Sequence, residues 1–121
     1  MKPVNLAQFK SALANTDEVE LTVISATSGR ETTRPVWFVQ ERDTLDLLPV
    51  KGSDSAWLKN ALKTPSIRLG ANEVIITAVA RPITDRERVR EVVERFRAKY
   101  GADEVKKYYS KFDVAVEVSL S

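Results

Sequence analysis

With 121 residues, the chain has the length of one domain rather than two. It contains neither cysteine nor histidine, which excludes disulfide bonds, thiolate metal sites and nucleophiles activated by histidine. Its 19 basic and 17 acidic residues give a net charge of +2, so no strong overall field attracts nucleic acid or anionic lipid.

The first half of the chain predicts one helix and three strands. Asn5 is a suitable helix cap and apolar residues recur at helical spacing after it, so a short helix is expected over residues 5–14. Strands are expected where apolar and polar residues alternate or where aromatic and β-branched residues cluster, over 18–25, 36–40 and 45–50. The polar segment 27–34 is predicted to be a loop, and residues 40–43 a hairpin turn.

A second helix is predicted in the middle of the chain. It follows a loop over residues 51–54, is capped by Asp54 and stops at Thr64-Pro65, because the residue before a proline disfavours helix. Its spacing predicts a buried face made of Trp57, Leu58, Ala61 and Leu62. Two strands, 66–69 and 73–80, are then expected to pair across a turn at residues 70–72.

The last third of the chain predicts two helices and a strand. Thr84 and Glu87 form a capping box for a longer helix, which ends at Gly101. A shorter helix over residues 103–110 leads to an alternating strand over 112–120, which is expected to pair with the first strands.

These elements predict one domain, residues 1–121, that is mainly β with α helices. Short hairpins between consecutive strands imply antiparallel pairing, because a parallel pair needs a crossover of a dozen or more residues. Six short strands close most economically into a small barrel over residues 18–120, with helices outside it or over an end. The start of the sequence has no leader pattern and no apolar stretch approaches a membrane span, so a cytoplasmic protein is expected.

Two clusters of hydrogen-bond donors at predicted strand exits are candidates for anion binding. Ser28, Arg30 and Arg34 form the first cluster, and guanidinium groups match phosphate oxygens geometrically. Lys51 and Gly52 form the second, just before a helix start, where unpaired amides attract anions. The alternatives are a solvated hairpin for the first cluster and an ordinary helix cap for the second.

Aromatic residues near these clusters could wall a cleft. Trp57 and Asn60 are three positions apart and share a helix face, although core packing is an alternative use of the tryptophan. Trp37 faces away from its strand neighbours and is a candidate for the core, a pocket wall or a subunit contact. Acidic residues interleave with the arginines of 86–99, which indicates a solvent-exposed helix face rather than a nucleic-acid surface. No metal site is predicted and no catalytic residue is assigned.

The order of these motifs resembles the deazaflavin-dependent nitroreductase family. That family belongs to the split β-barrel group, which includes the pyridoxamine-phosphate-oxidase-like FMN-binding proteins. The resemblance covers about residues 18–120, and the matching residues are Ser28-Gly29-Arg30, Arg34-Pro35, Lys51-Gly52, Trp57, Asn60 and Pro65.

The resemblance implies a six-stranded antiparallel split β-barrel with peripheral helices that holds FMN or a deazaflavin in an outer groove. Ser28, Arg30 and Arg34 would contact the phosphate side, Pro35 would open the strand behind the ring, and Lys51 and Gly52 would lie near the ring or phosphate. Trp57 and Asn60 would shape the helix that closes the site. The cofactor would transfer hydride to a small organic acceptor such as a quinone or nitro compound.

Two further expectations concern the residues before Ser28 and the oligomeric state. The residues before Ser28 are Ser25-Ala26-Thr27, where family members usually carry basic residues. The alternative function is therefore a non-catalytic split barrel that binds another small ligand or a protein. A homodimer is also expected, since flavin-binding split barrels commonly pair.

Overall fold

A closed barrel of six antiparallel strands forms the centre of the computed structural model, which describes residues 6–25 and 27–120. The strands are β1 (Glu18–Ile24), β2 (Glu31–Glu41), β3 (Thr44–Leu47), β4 (Ser66–Ala71), β5 (Val74–Ile83) and β6 (Ala115–Ser119). They close in the order β1-β2-β3-β6-β5-β4. The predicted antiparallel barrel with peripheral helices is confirmed, and the predicted cap at Asn5 lies outside the described residues.

Four helices surround the barrel and divide the buried apolar residues into two clusters. They are α1 (Leu6–Leu13), α2 (Ala56–Lys63), α3 (Arg86–Tyr100) and α4 (Ala102–Tyr108). The apolar sides of α1 and α2 join the barrel interior, whereas α3 and α4 pack on the outside of β2, β5 and β6. Residue 36 of β2 packs with the inner cluster and residue 37 with the outer one, which confirms that the two side chains point to opposite faces.

The prediction that residues 27–34 form a polar loop is wrong beyond residue 30. β2 begins at Glu31, because the β-branched Thr32 and Thr33 pair with β1 and extend the sheet. The hydroxyl groups of Thr22 and Thr33 lie 2.8 Å apart across the two strands. The turn between β1 and β2 is therefore tight. It requires a residue at positive φ, and Gly29 occupies that position with a φ of 71°.

The β4–β5 turn is shorter than predicted. Gly70 and Ala71 belong to β4, and the turn is made by Asn72 and Glu73, both at positive φ. Two such central residues are characteristic of a type I′ hairpin, whose twist matches that of the strands.

Three expectations for the helices are corrected, and the partners of the last strand become specific. Asp85 rather than Thr84 caps α3, since its carboxylate accepts the Arg88 amide at 3.1 Å. The residue at the cap position of α2 is Ser55 rather than Asp54. Leu62 is 51% exposed, because only the inner stripe of α2 reaches the barrel. The final strand, β6, returns to one of the first strands, β3, and its other neighbour is β5.

Candidate functional site

A groove of about 790 Å³ opens where β3 leaves β2. β3 pairs only with residues 38–41 of β2, and among the described strands none pairs with residues 31–37 on that side. After Leu47 the chain diverges from β2 and returns as the loop before α2. The space between is within the usual range for small-molecule sites.

The unpaired edge of β2 forms the first wall of the groove. The carbonyl of Arg30 accepts the amide of Ser25 at 2.7 Å, so even-numbered residues direct their main-chain groups toward β1. Odd-numbered residues therefore direct theirs toward the opposite edge. Pro35 is one of them, and its missing N–H costs no ladder bond there. Trp37 directs its main-chain groups toward the same edge.

The segment before α2 forms the second wall. Lys51 and Asp54 are the charged residues of this wall, and Val50, Ser55 and Trp57 complete it. A buried hydroxyl fixes the loop internally, since Ser55 Oγ accepts the Lys51 amide at 2.9 Å. Trp57 has two roles, because it lines the groove and also belongs to the inner core cluster.

Helix α4 supplies the third wall. Glu104 and Tyr108 lie one helical turn apart and both face the groove, together with Tyr109. Tyr108 meets the Trp37 ring edge-on at 5.6 Å, and Tyr109 lies 5.9 Å from it. The indole of Trp37 is therefore held between β2 and the end of α4.

Tyr100 fixes Trp37 from behind. The two rings are stacked with centroids 4.2 Å apart and an interplanar angle of 6°. Tyr100 Oη accepts the Phe38 amide at 3.0 Å and lies 2.8 Å from the carbonyl of Asp17. The phenol therefore bridges β2 and the residue just before β1, where the two strands no longer pair directly. Burial raises the pKa of Tyr100 to about 12, and it also raises the pKa of Tyr109. Both phenols therefore stay protonated at neutral pH.

The groove carries charges of both signs. Arg34 and Lys51 are its basic residues, and Glu18, Asp54 and Glu104 are its acidic ones. The charge of one of these carboxylates is already balanced, because Asp54 forms an ion pair with Lys111 at 3.2 Å. The groove can therefore hold an anionic group only where Arg34 and Lys51 face it.

The structure brings together half of the predicted site residues. Arg34, Pro35, Lys51 and Trp57 line one groove, whereas Ser28, Arg30, Gly52 and Asn60 are not part of its lining. Arg30 is four residues from Arg34, or about 13 Å along an extended strand. The side chain of Ser28 accepts the Arg30 amide at 3.3 Å, inside the hairpin turn.

Sequence reasoning left Trp37 open and missed the role of α4. The pair Glu104 and Tyr108 had a usable signal, since residues four apart share a helix face. No sequence signal could have shown the contribution of Trp37, because a strand residue that points outward gives no indication of which helix will cover it.

Residues 6–25 and 27–120 contain neither a metal-binding cluster nor a membrane-spanning helix. No group of three acidic side chains is placed to hold a metal ion there. Within the same residues, every helix is too short or too polar to cross a bilayer.

Three solved structures illustrate the similarity of the fold to known proteins. An F420-H2-dependent reductase is 19% identical with a TM-score of 0.66, over 85% of this chain and 94% of that chain. A putative pyridoxamine 5'-phosphate oxidase from Listeria innocua is 12% identical with a TM-score of 0.69, over 93% and 90%. The heme storage protein HutZ from Vibrio cholerae is 15% identical with a TM-score of 0.69, over 98% and 90%. A further similar structure, 18% identical with a TM-score of 0.67 over 93% and 95%, is described as a domain-swapped dimer.

The barrel and its open β2 edge define a split-barrel fold that is similar to the folds of an F420-H2-dependent reductase and a putative pyridoxamine 5'-phosphate oxidase. Within that fold, the chain belongs to the DUF2255 family, described as an uncharacterized protein conserved in bacteria, whose model matches residues 10–117. No curated protein matches the sequence.

Proposed function

We propose that the groove binds a flavin or a deazaflavin and that the protein is an oxidoreductase acting on a small organic acceptor. The observation that carries this proposal is the convergence of Arg34 and Lys51 with two indoles, Trp37 and Trp57, in one groove. Aromatic and apolar walls suit a flat ring system, and paired cations suit an attached phosphate. Two similar folds bear the names of an F420-H2-dependent reductase and a putative pyridoxamine 5'-phosphate oxidase, which supports the same class.

The residues of the groove divide into two functional sets. Arg34 and Lys51 would hold the anionic end of the cofactor, since each charge-assisted hydrogen bond contributes roughly 1.5–3 kcal/mol. The ring would lie against the β2 edge at Pro35 and Trp37, where main-chain groups face the groove. The cofactor supplies the hydride chemistry when it is bound, and the protein binds it, orients it and limits the access of water.

A second candidate function is a non-catalytic barrel that binds a neutral ring compound. The charges of the groove favour it, because Glu18 and Glu104 balance Arg34 and Lys51 once Asp54 is paired with Lys111. Heme held through a histidine, a common axial ligand, is ruled out because the sequence has no histidine.

The decisive experiment is a titration of the purified protein with FMN and with a deazaflavin, followed by absorbance and fluorescence. We expect a dissociation constant below roughly 100 μM for at least one of them, equivalent to about 5–6 kcal/mol. Arg34→Ala and Lys51→Ala should each weaken it about tenfold, whereas Lys59→Ala, an exposed charge of α2 outside the groove, should not. Failure of both cofactors to bind would overturn the proposal, and tight binding of a neutral ring would favour the second candidate.

We also propose that the protein forms a homodimer through the outer face of β4 and β5. Ile75 and Val79 are 57% and 59% exposed on this face and lie beside Gly70 and Ser66 in the sheet. The similar structure described as a domain-swapped dimer supports pairing by this fold. Light scattering should give twice the monomer mass, and Ile75→Lys with Val79→Lys should reduce it to one. A monomer mass for the unmodified protein at micromolar concentration would overturn this.

A further inference from the structure

Residues 110–113, in the segment that connects α4 to β6, hold the loop at residues 50–54 and are not part of the groove lining. Asp113 accepts two hydrogen bonds from Ser53, one from its amide at 2.9 Å and one from its hydroxyl at 2.5 Å. Lys111 donates to Asp54 at 3.2 Å. The amide of Ser110 donates to the carbonyl of Val50 at 2.9 Å. We call residues 110–113 the clamp segment.

The fit between the clamp segment and the loop is close enough to require glycine. Gly52 has a φ of 54°, and a Cβ built on it would lie 2.2 Å from Asp113 Oδ1. The same Cβ would meet Lys111 side-chain atoms at 3.0 Å and 3.1 Å. Gly52 is therefore explained by the approach of the Asp113 carboxylate to the loop rather than by contact with a ligand in the groove.

The position of Lys51 depends on this arrangement. Lys51 is adjacent to Gly52 and lines the groove, whereas Asp113 contacts the same turn through Ser53 and is not part of the groove lining. The amides of Gly52, Asp54 and Ser55 donate to the carbonyls of residues 49, 51 and 52, so three hydrogen bonds connect the backbone around Ser53 to that of Lys51. The hydrogen bonds from Ser53 and the ammonium of Lys111 hold the pKa of Asp113 below its usual range, which keeps its acceptors charged.

We propose that Asp113 is a positioning residue of the groove, which orients Lys51 toward the anionic end of the bound cofactor through Ser53 and Gly52. This inference rests on the proposed function. It predicts a selective effect, because only a ligand that carries an anionic group uses Lys51. Riboflavin, which has the same ring system as FMN but no phosphate, separates that selective effect from a general loosening of the groove.

The test is a set of dissociation constants for FMN and riboflavin measured on Asp113→Ala, Lys51→Ala and the double variant. We expect Asp113→Ala to weaken FMN binding about tenfold and riboflavin binding less than about twofold. In the Lys51→Ala background, Asp113→Ala should have almost no further effect on FMN, because the two residues act on the same contact. Asp103→Ala removes another exposed aspartate outside the groove and the clamp segment, and should change neither constant.

Two milder variants keep the test valid if Asp113→Ala does not fold. Asp113→Asn retains one acceptor for the Ser53 amide, and Ser53→Ala removes only the hydroxyl bond, so both should give intermediate losses of FMN affinity. Equal losses for FMN and riboflavin, or additive losses in the double variant, would overturn the role of Asp113 while leaving the proposed function standing. Absence of FMN and riboflavin binding by the unmodified protein, with no deazaflavin binding either, would overturn both proposals.

Discussion

Two glycine-containing loops that look alike in the sequence behave differently in the structure. The β1–β2 turn at residues 25–30 is closed by hydrogen bonds within itself, and a Cβ on Gly29 would meet nothing within 4 Å. The loop at residues 50–54 is held by the clamp segment, and a Cβ on Gly52 would overlap a carboxylate oxygen. Both loops combine glycine, serine and a basic residue. Tertiary contacts therefore decide which of the two loops contributes residues to the groove.

The largest expected difference between the loops is in their tolerance of alanine at the glycine. Gly52→Ala should lower the free energy of unfolding by about 3 kcal/mol, since it adds strain at positive φ and displaces the Asp113 carboxylate. Gly29→Ala carries only the backbone strain and should cost about 1–2 kcal/mol. Urea denaturation of the two variants measures both values. Equal losses would mean that the clamp segment does not constrain the loop.

The pH dependence of the free energy of unfolding is expected to depend mainly on Asp46, a carboxylate outside both loops. Asp46 of β3 is 3% exposed beneath α3, where burial first and then the charge of Glu117 raise its pKa to about 6, against the opposing effect of Arg95. The folded state therefore holds a proton more tightly than the unfolded state does, and stability should fall as pH rises from about 4 to 6.

The variant that tests this is Asp46→Asn, which should remove that pH dependence and raise the free energy of unfolding at pH 7 by about 2 kcal/mol. Glu73→Gln, an exposed acid in the β4–β5 turn, is the control and should leave the profile unchanged. A variant no more stable than the unmodified protein at pH 7 would show that the Arg95 pair, at 3.6 Å, offsets the cost of burial.

Two arginines sharpen the comparison in terms of binding: Arg30, just before β2, and Arg34, within that strand. Arg34→Ala should weaken FMN binding about tenfold, whereas Arg30→Ala should weaken it less than about twofold. The reason is that Arg34 lines the groove and Arg30 lies in the self-contained turn. Equal losses in a fluorescence titration would show that the turn also reaches the cofactor, and would restore the sequence-based assignment of Arg30.

The smallest expected effect concerns the clamp carboxylate at acid pH. The pKa of Asp113 is lowered by its bonds to Ser53, so its contribution to stability is present above pH 3.8 and is lost as pH falls through the lowered pKa. Asp113→Asn should therefore be slightly less stable than the unmodified protein at pH 7, and the two should converge in strong acid. A difference that persists at pH 2 would indicate a packing effect instead.

Local patterns predicted most elements of the fold but not all of their ends. Alternation in residues 18–24 and helical spacing at Val89, Val92, Val93 and Phe96 are local signals, and the structure confirms both. The start of β2 was missed because Thr32 and Thr33 are polar, and their strand character depends on pairing with β1. The cap of α3 was placed one residue early because Thr84 and Asp85 are both suitable caps, and only the backbone geometry selects between them.

The sequence by itself determined the class of fold and the chemistry that is not available. Hydrophobic periodicity and short hairpins favour an antiparallel barrel, and the absence of cysteine and histidine restricts the groups that can react. Only the tertiary structure decided the site. The early departure of β3 from β2 opens the groove, the packing of α4 brings Tyr108 and Tyr109 to Trp37, and Asp113 sets the loop that carries Lys51. Each of these depends on contacts between residues far apart in the chain, which local sequence patterns do not encode.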